Sequence, residues 1–249
     1  MHQVHGTEPV KLDNATLALL AATKREALEA NLRAFVAESL INDDLVRYLA
    51  SELYEARRTL ATQHSVTDPV TGRRGAAMQT YSGVEFWPLD PRPEEILIED
   101  IAHGLARECR YGGHTIRYYS VAEHAVLVSL LVEPAYERQA LLHDCAEAYV
   151  RDLIRPIKYL PELLAFRKFE NVLEAAIFDR FGVVCTPESN AAVKKVDDRI
   201  VVDEIRNLMR RPEMERAEGF GISITGLEYE AARELFVSRF ADLFPEHLQ

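Results

Sequence analysis

The run Leu141-Leu142-His143-Asp144-Cys145-Ala146-Glu147 sets three polar groups into an otherwise apolar segment. Helical spacing puts them together, because Glu147 follows Asp144 by three positions and His143 by four, and such residues share a helix side. His143 and Asp144 point about 100° apart on an ideal helix, yet a metal ion wedged against the helix is reachable by both. For an isolated His-Asp pair, the plain alternative is a core histidine joined to a carboxylate. A carboxylate inside an apolar helix still needs compensation.

Two other segments raise the stakes. His124 sits in Val121-Ala122-Glu123-His124-Ala125-Val126-Leu127-Val128, a stretch apolar nearly all round, and such a helix is a buried one. In the stretch from Val193 to Leu208, the apolar arc is Val193, Val196, Ile200, Val201 and Leu208. Asp197 and Glu204 fall inside that arc and Asp198 outside it, so Asp197 is the inward acid. Two interior histidines with two interior aspartates suit zinc, manganese, cobalt or iron, with magnesium as the harder alternative. The divalent metal ion would supply the countercharge that the aspartates need and would acidify a bound water into a nucleophile. Four protein ligands leave an open position only if the ion is five- or six-coordinate. Glu147 is the candidate for steering that water or protonating a leaving group.

Composition narrows the substrate. With 29 basic and 40 acidic side chains the formal net charge is −11, so affinity for a nucleic acid polymer is excluded. Cations nonetheless gather locally: Arg110 and Arg117 precede His124, and Arg151, Arg155 and Lys158 follow the His-Asp pair. Arg155 and Lys158 read as phosphate contacts and Arg151 as a surface residue. No apolar run is long enough to span a membrane, and the opening Met1–Asn14 lacks the pattern of a signal peptide. Three cysteines without a C-x-x-C pair suit a reduced, cytoplasmic setting.

The organisation reads as two parts. Residues 13–63 carry two amphipathic helices, and 64–77, rich in Gly, Pro and small polar residues, read as a linker. Residues 78–87 suggest a short hairpin around Ser82-Gly83. Helices are then expected over 98–107, from a Ser120 cap through Val132, from Pro134 to about Val150, from Pro161 to about Phe181, from Pro187 or Ser189 to about Met209, and over 228–243. The glycine-containing 211–227 reads as loop. The fold class is all-α, with domains 1–77 and 78–249.

The pattern H…HD…D, carried by His124, His143-Asp144 and Asp197, resembles the HD superfamily of metal-dependent phosphohydrolases. The text Tyr119-Ser120-Val121-Ala122-Glu123-His124 and Leu-Leu-His-Asp-x-x-Glu-Ala-Tyr is similar to phage dATP triphosphohydrolases and bacterial 5′-deoxynucleotidases. The likeness runs from about Met78 to Met209 and weakly to Phe244. It implies an HD-domain helical bundle with a short β-hairpin and an N-terminal helical extension. It also implies hydrolysis of (deoxy)nucleotides to nucleoside plus phosphate or triphosphate, and a homo-oligomer. By the same resemblance His124, His143, Asp144 and Asp197 are metal ligands, Glu147 the catalytic glutamate and Asp152 the acid near the leaving group. Lys158 and Arg110 would grip phosphate. Tyr111 stands where the deoxynucleotidases carry a sugar-selecting tryptophan, and His114 and Tyr118 would line the pocket. Three alternatives stand beside this reading: a cyclic-nucleotide or alarmone hydrolase, a regulatory module that binds nucleotide without turnover, and a set of core hydrogen-bond partners that holds no metal.

Overall fold

The computed structural model describes residues 67–68, 70–215 and 217–247, all within one compact unit, Val66–Gln249. The two amphipathic helices expected over 13–63 lie outside the described residues. What is described is mostly helical, with a single two-stranded antiparallel ribbon of β1 (Met78–Gln79) and β2 (Glu85–Phe86). Gly83 takes φ 89° at the turn, and Asp100 accepts bonds from both the amide and the hydroxyl of Ser82. The expected hairpin therefore forms around Ser82-Gly83. The stretch expected as a linker is partly fastened down. Arg73 is buried, paired with Asp90 at 3.1 Å and with Glu95, and stacked on Trp87.

Helix α1 (Ile98–Arg107) and helix α2 (Val121–Leu131) follow the ribbon. The Ser120 hydroxyl accepts the Glu123 amide at 3.2 Å and so starts α2. Helix α2 is buried on most sides, as its composition requires, and packs on α3 (Glu137–Leu142) and α8 (Tyr229–Leu243). Between these run the short α4 (Glu147–Val150) and α5 (Arg155–Lys158), then α6 (Leu164–Arg180) and the long α7 (Pro187–Leu208). Thr186 and Ser189 form a reciprocal capping box that fixes the start of α7. One core joins Ile101, Leu105, Ala125, Leu141, Phe236 and Phe240. A second joins Tyr119 and Val128 to Val193, Val196, Ile200 and Leu208 of α7. Each fully buried Leu or Ile in them contributes about 1.5–3 kcal/mol. Among the described residues no helix is long and apolar enough to cross a membrane.

One expected element breaks. The helix predicted from Pro134 to about Val150 is α3, then a tight turn over 143–146, then α4. Across the turn the bonds span three residues: the Cys145 amide donates to the Leu142 carbonyl at 3.1 Å, and the Glu147 amide to that of Asp144 at 3.0 Å. His143 thus caps α3, and Glu147 opens α4.

Close packing holds α4 in place. A Cβ on Gly104 of α1 would meet the Ala148 carbonyl oxygen at 2.7 Å and its Cα at 3.0 Å. Gly104→Ala gains about 1 kcal/mol in helix propensity, but crowding a packed contact of backbone costs about 1–3 kcal/mol. The expected outcome is a lower melting temperature by calorimetry, with α4 and Glu147 displaced.

Candidate metal centre

The site is assembled from α2, the 143–146 turn and α7. His124 is completely buried. Its Nδ1 lies 2.6 Å from Glu204 Oε1, and its Nε2 lies 3.3 Å from Asp197 Oδ1 and 3.6 Å from Asp144 Oδ2. His143 faces the Ala140 carbonyl through Nδ1 at 2.7 Å, which aims its Nε2 at Asp144 Oδ2, 3.2 Å away. The two imidazole rings are 5.4 Å apart. Both Nε2 atoms are buried without a hydrogen-bond partner. Such orphans are rare in a folded interior and demand an explanation. Ligand atoms of His124, His143 and Asp144 all lie within 4.8 Å of one another, and Asp197 reaches the same Nε2 of His124 from α7. Two imidazole nitrogens facing two carboxylates make a donor set that fits a divalent transition ion.

The electrostatics fit as well. Burial opposes charge on Asp144, but His143, His124 and Arg110 together hold its carboxyl below the usual range. Burial likewise opposes charge on Asp197, and the nearby His124 and His143 rings reverse the balance downward. His143 is pushed up to about 9: burial alone would lower it, and Asp144 beside it more than compensates. Its folded value lies above its ordinary one, so its protonated form stabilises the metal-free fold below pH about 6.5, a contribution lost as pH rises through about 9. Metal ligation needs the neutral ring. Binding near neutral pH should therefore release about one proton, and affinity should rise about tenfold per pH unit from about 7 to 9. Calorimetric titration in buffers of different ionisation enthalpy measures this, and proton-neutral binding would rule it out.

A cavity of about 530 Å³ opens over the cluster. Tyr111, His114, Glu147, Asp152, Arg155 and Lys158 line it together with apolar Leu153, Ile154, Val201 and Met209. A smaller one of about 300 Å³ adjoins it, sharing His143, Asp144, Glu147, Lys158 and Tyr159 and adding Glu170 and Glu174 from α6. Glu147 is buried, and its Oε2 has no partner. Burial first, then Asp144 and Asp152, pushes its carboxyl well above the ordinary range despite Lys158. Asp152 is also raised, chiefly by burial.

The expected phosphate contacts are mostly engaged. Arg110 is buried and paired with Glu204 at 3.3 Å and Asp144 at 3.5 Å. Lys158 sits between Glu147 at 3.1 Å and Glu170 at 2.8 Å. Arg155, half exposed, binds Asp197 and Asp198, each at 3.0 Å. Asp198 is exposed and also pairs with Lys194, as an outward acid should. Tyr118, expected at the pocket, instead donates its hydroxyl to the Ala106 carbonyl. Arg117 reaches the Thr225 carbonyl at 3.5 Å, away from the cavity lining. Arg151 is 76% exposed and pairs with Glu108 at 2.8 Å. Glu204 is legible in the sequence as an inward acid, seven positions after Asp197, but nothing in its local text marks it as a partner of His124. Glu170, Glu174 and Tyr119 gave no such signal, because only the packing of α6 and α7 brings them near.

Fold and site together define, over the described residues, a mostly helical domain with a His-Asp donor cluster at the floor of a cavity. No model of a known protein family matches it. The uncharacterized protein YfdR of Escherichia coli is 37% identical over 131 residues, which span 53% of this chain and 71% of YfdR. An uncharacterized protein of Rhodobacter capsulatus is 39% identical over 127 residues, spanning 47% of this chain and 64% of that protein. The chain belongs to the family of YfdR.

Proposed function

We propose that this chain is a metal-dependent nucleotide phosphohydrolase of the HD type its sequence resembles. The observation that carries the reading is the pair of buried, partnerless Nε2 atoms of His124 and His143 facing Asp144 and Asp197 at the floor of the cavity. Those four residues would hold the metal. A divalent ion, when bound, supplies Lewis acidity and an acidified water.

The chain's own groups supply the rest. Glu147, a carboxyl whose proton affinity is raised by burial, orients the attacking water and takes its proton. Asp152, also raised, returns a proton to the leaving oxygen as the phosphorus–oxygen bond breaks. Arg155 is the half-exposed cation at the cavity and turns to the phosphate when substrate enters, with Arg110 and Lys158 fixing the field around it. Tyr111 and the apolar wall of Ile154, Val201 and Met209 receive the nucleoside. The acidic net charge does not oppose a small anion, since the cations are local. A cytoplasmic location, supported by three free cysteines, and a homo-oligomer belong to the same proposal.

The test is turnover of deoxynucleoside mono-, di- and triphosphates in parallel, with Mn²⁺ or Co²⁺ added and every product identified. Metal-dependent release of phosphate or triphosphate is expected. Tight nucleotide binding without turnover would make the chain a regulatory module. Cleavage confined to cyclic nucleotides or alarmones would move it to that class.

A further inference from the structure

We infer that Glu204 is a positioning residue that ties the metal-facing ring of His124 and the cavity-lining ring of Tyr111 to one carboxylate. The inference rests on the metal reading above and names how the chain aims its first ligand. Glu204 lies on α7 and is fully buried. Its Oε1 accepts from His124 Nδ1 at 2.6 Å and from the Tyr119 hydroxyl at 2.7 Å. Its Oε2 accepts from Arg110 at 3.3 Å and from the Tyr111 hydroxyl. A carboxylate offers about four lone-pair sites, so four donors leave Glu204 saturated and its orientation fixed.

Two consequences follow for the site. With its Nδ1 proton given to Glu204, His124 presents an Nε2 lone pair toward Asp144 and Asp197. A ligand histidine is aimed and made more basic by just such a carboxylate. Asp197 and Glu204, seven residues apart on one rigid helix, are about 10.5 Å apart along its axis. The imidazole of His124 therefore lies between two acids of α7, bonded to Glu204 through Nδ1 and turning Nε2 toward Asp197. Tyr111 meanwhile holds φ 57°, a left-handed conformation that is strained for a residue with a side chain. Its hydroxyl bond to Glu204 helps hold it there.

The experiment measures cobalt affinity of the metal-stripped full chain by competition with a chromogenic chelator, together with the visible cobalt spectrum. Glu204→Leu should lose about 100-fold in affinity and shift the spectrum, and Glu204→Gln, which keeps an acceptor but no charge, about 10-fold. Tyr111→Phe, which removes one donor from the same carboxylate, should lower affinity by less than Glu204→Gln does. Ser129→Ala, a buried polar loss elsewhere on α2, should leave both readouts unchanged. If Glu204→Leu fails to fold, the Gln variant and ¹⁵N NMR of the wild-type ring decide, with a protonated Nδ1 expected. Unchanged cobalt affinity and spectrum in the Glu204 variants, or a bare Nδ1, overturns the proposal while the metal reading stands. No cobalt binding by the wild type overturns both.

Discussion

Asp197→Ala is expected to abolish metal-dependent turnover while leaving the protein folded. Asp197 carries one oxygen to His124 Nε2 at 3.3 Å and the other to Arg155 at 3.0 Å. On the proposed reading, removing it would take away a ligand and the negative charge that favours a cation at the cluster. Arg155 is half exposed and keeps Asp198 as a partner, so its ion pair adds only about 0–1 kcal/mol to stability. The loss of kcat at saturating metal should be about 1,000-fold or more, beyond the 10- to 100-fold typical of a residue that merely supports a ligand. Melting temperature and helical circular dichroism should stay near wild type. Turnover within tenfold of wild type would remove Asp197 from the metal set.

Glu147→Gln should separate chemistry from metal binding. The amide keeps the shape of the side chain and an oxygen for Lys158, but it cannot take a proton from water. Loss of a general base costs about 100- to 10,000-fold in kcat, whereas cobalt affinity should change little. Stability should move the other way. The folded carboxyl of Glu147 is raised above its ordinary value by burial, so the wild-type fold loses stability as pH climbs from the ordinary carboxylate range through the folded value. The Gln variant escapes that loss, and its melting temperature should exceed the wild type's by an amount that grows as pH rises above the ordinary carboxylate range. A variant that is both inactive and less stable at every pH would contradict the assignment.

Much of the helical framework was legible because its signals are local. Ser120 caps α2 by an ordinary side-chain bond, and the wheel over Val193–Leu208 separates inward Asp197 from exposed Asp198. The break between α3 and α4 was not legible. Residues 141–150 contain no Gly or Pro, and the weaker helix formers His143, Asp144 and Cys145 do not by themselves announce bonds spanning three residues. Gly104 in the path of Ala148 points to tertiary packing as its source. Convergence was legible only in part. The residue types offered a donor set that suits a metal, but the meeting of His124, Asp144 and Asp197 depends on how α2 and α7 share a core. The engagement of Arg110 and Lys158 by Glu204, Glu147 and Glu170 also depends on packing, which is why cations expected to face phosphate are instead braced by acids.

The most direct measurement is removal and return of metal on a single preparation, with nucleotide turnover and bound metal followed together and Asp197→Ala run alongside. The account predicts that stripping takes turnover to the level of that variant, and that turnover returns in proportion to metal bound, saturating at about one ion per chain. Turnover that survives stripping, or a fully loaded protein that cleaves no nucleotide, would contradict it.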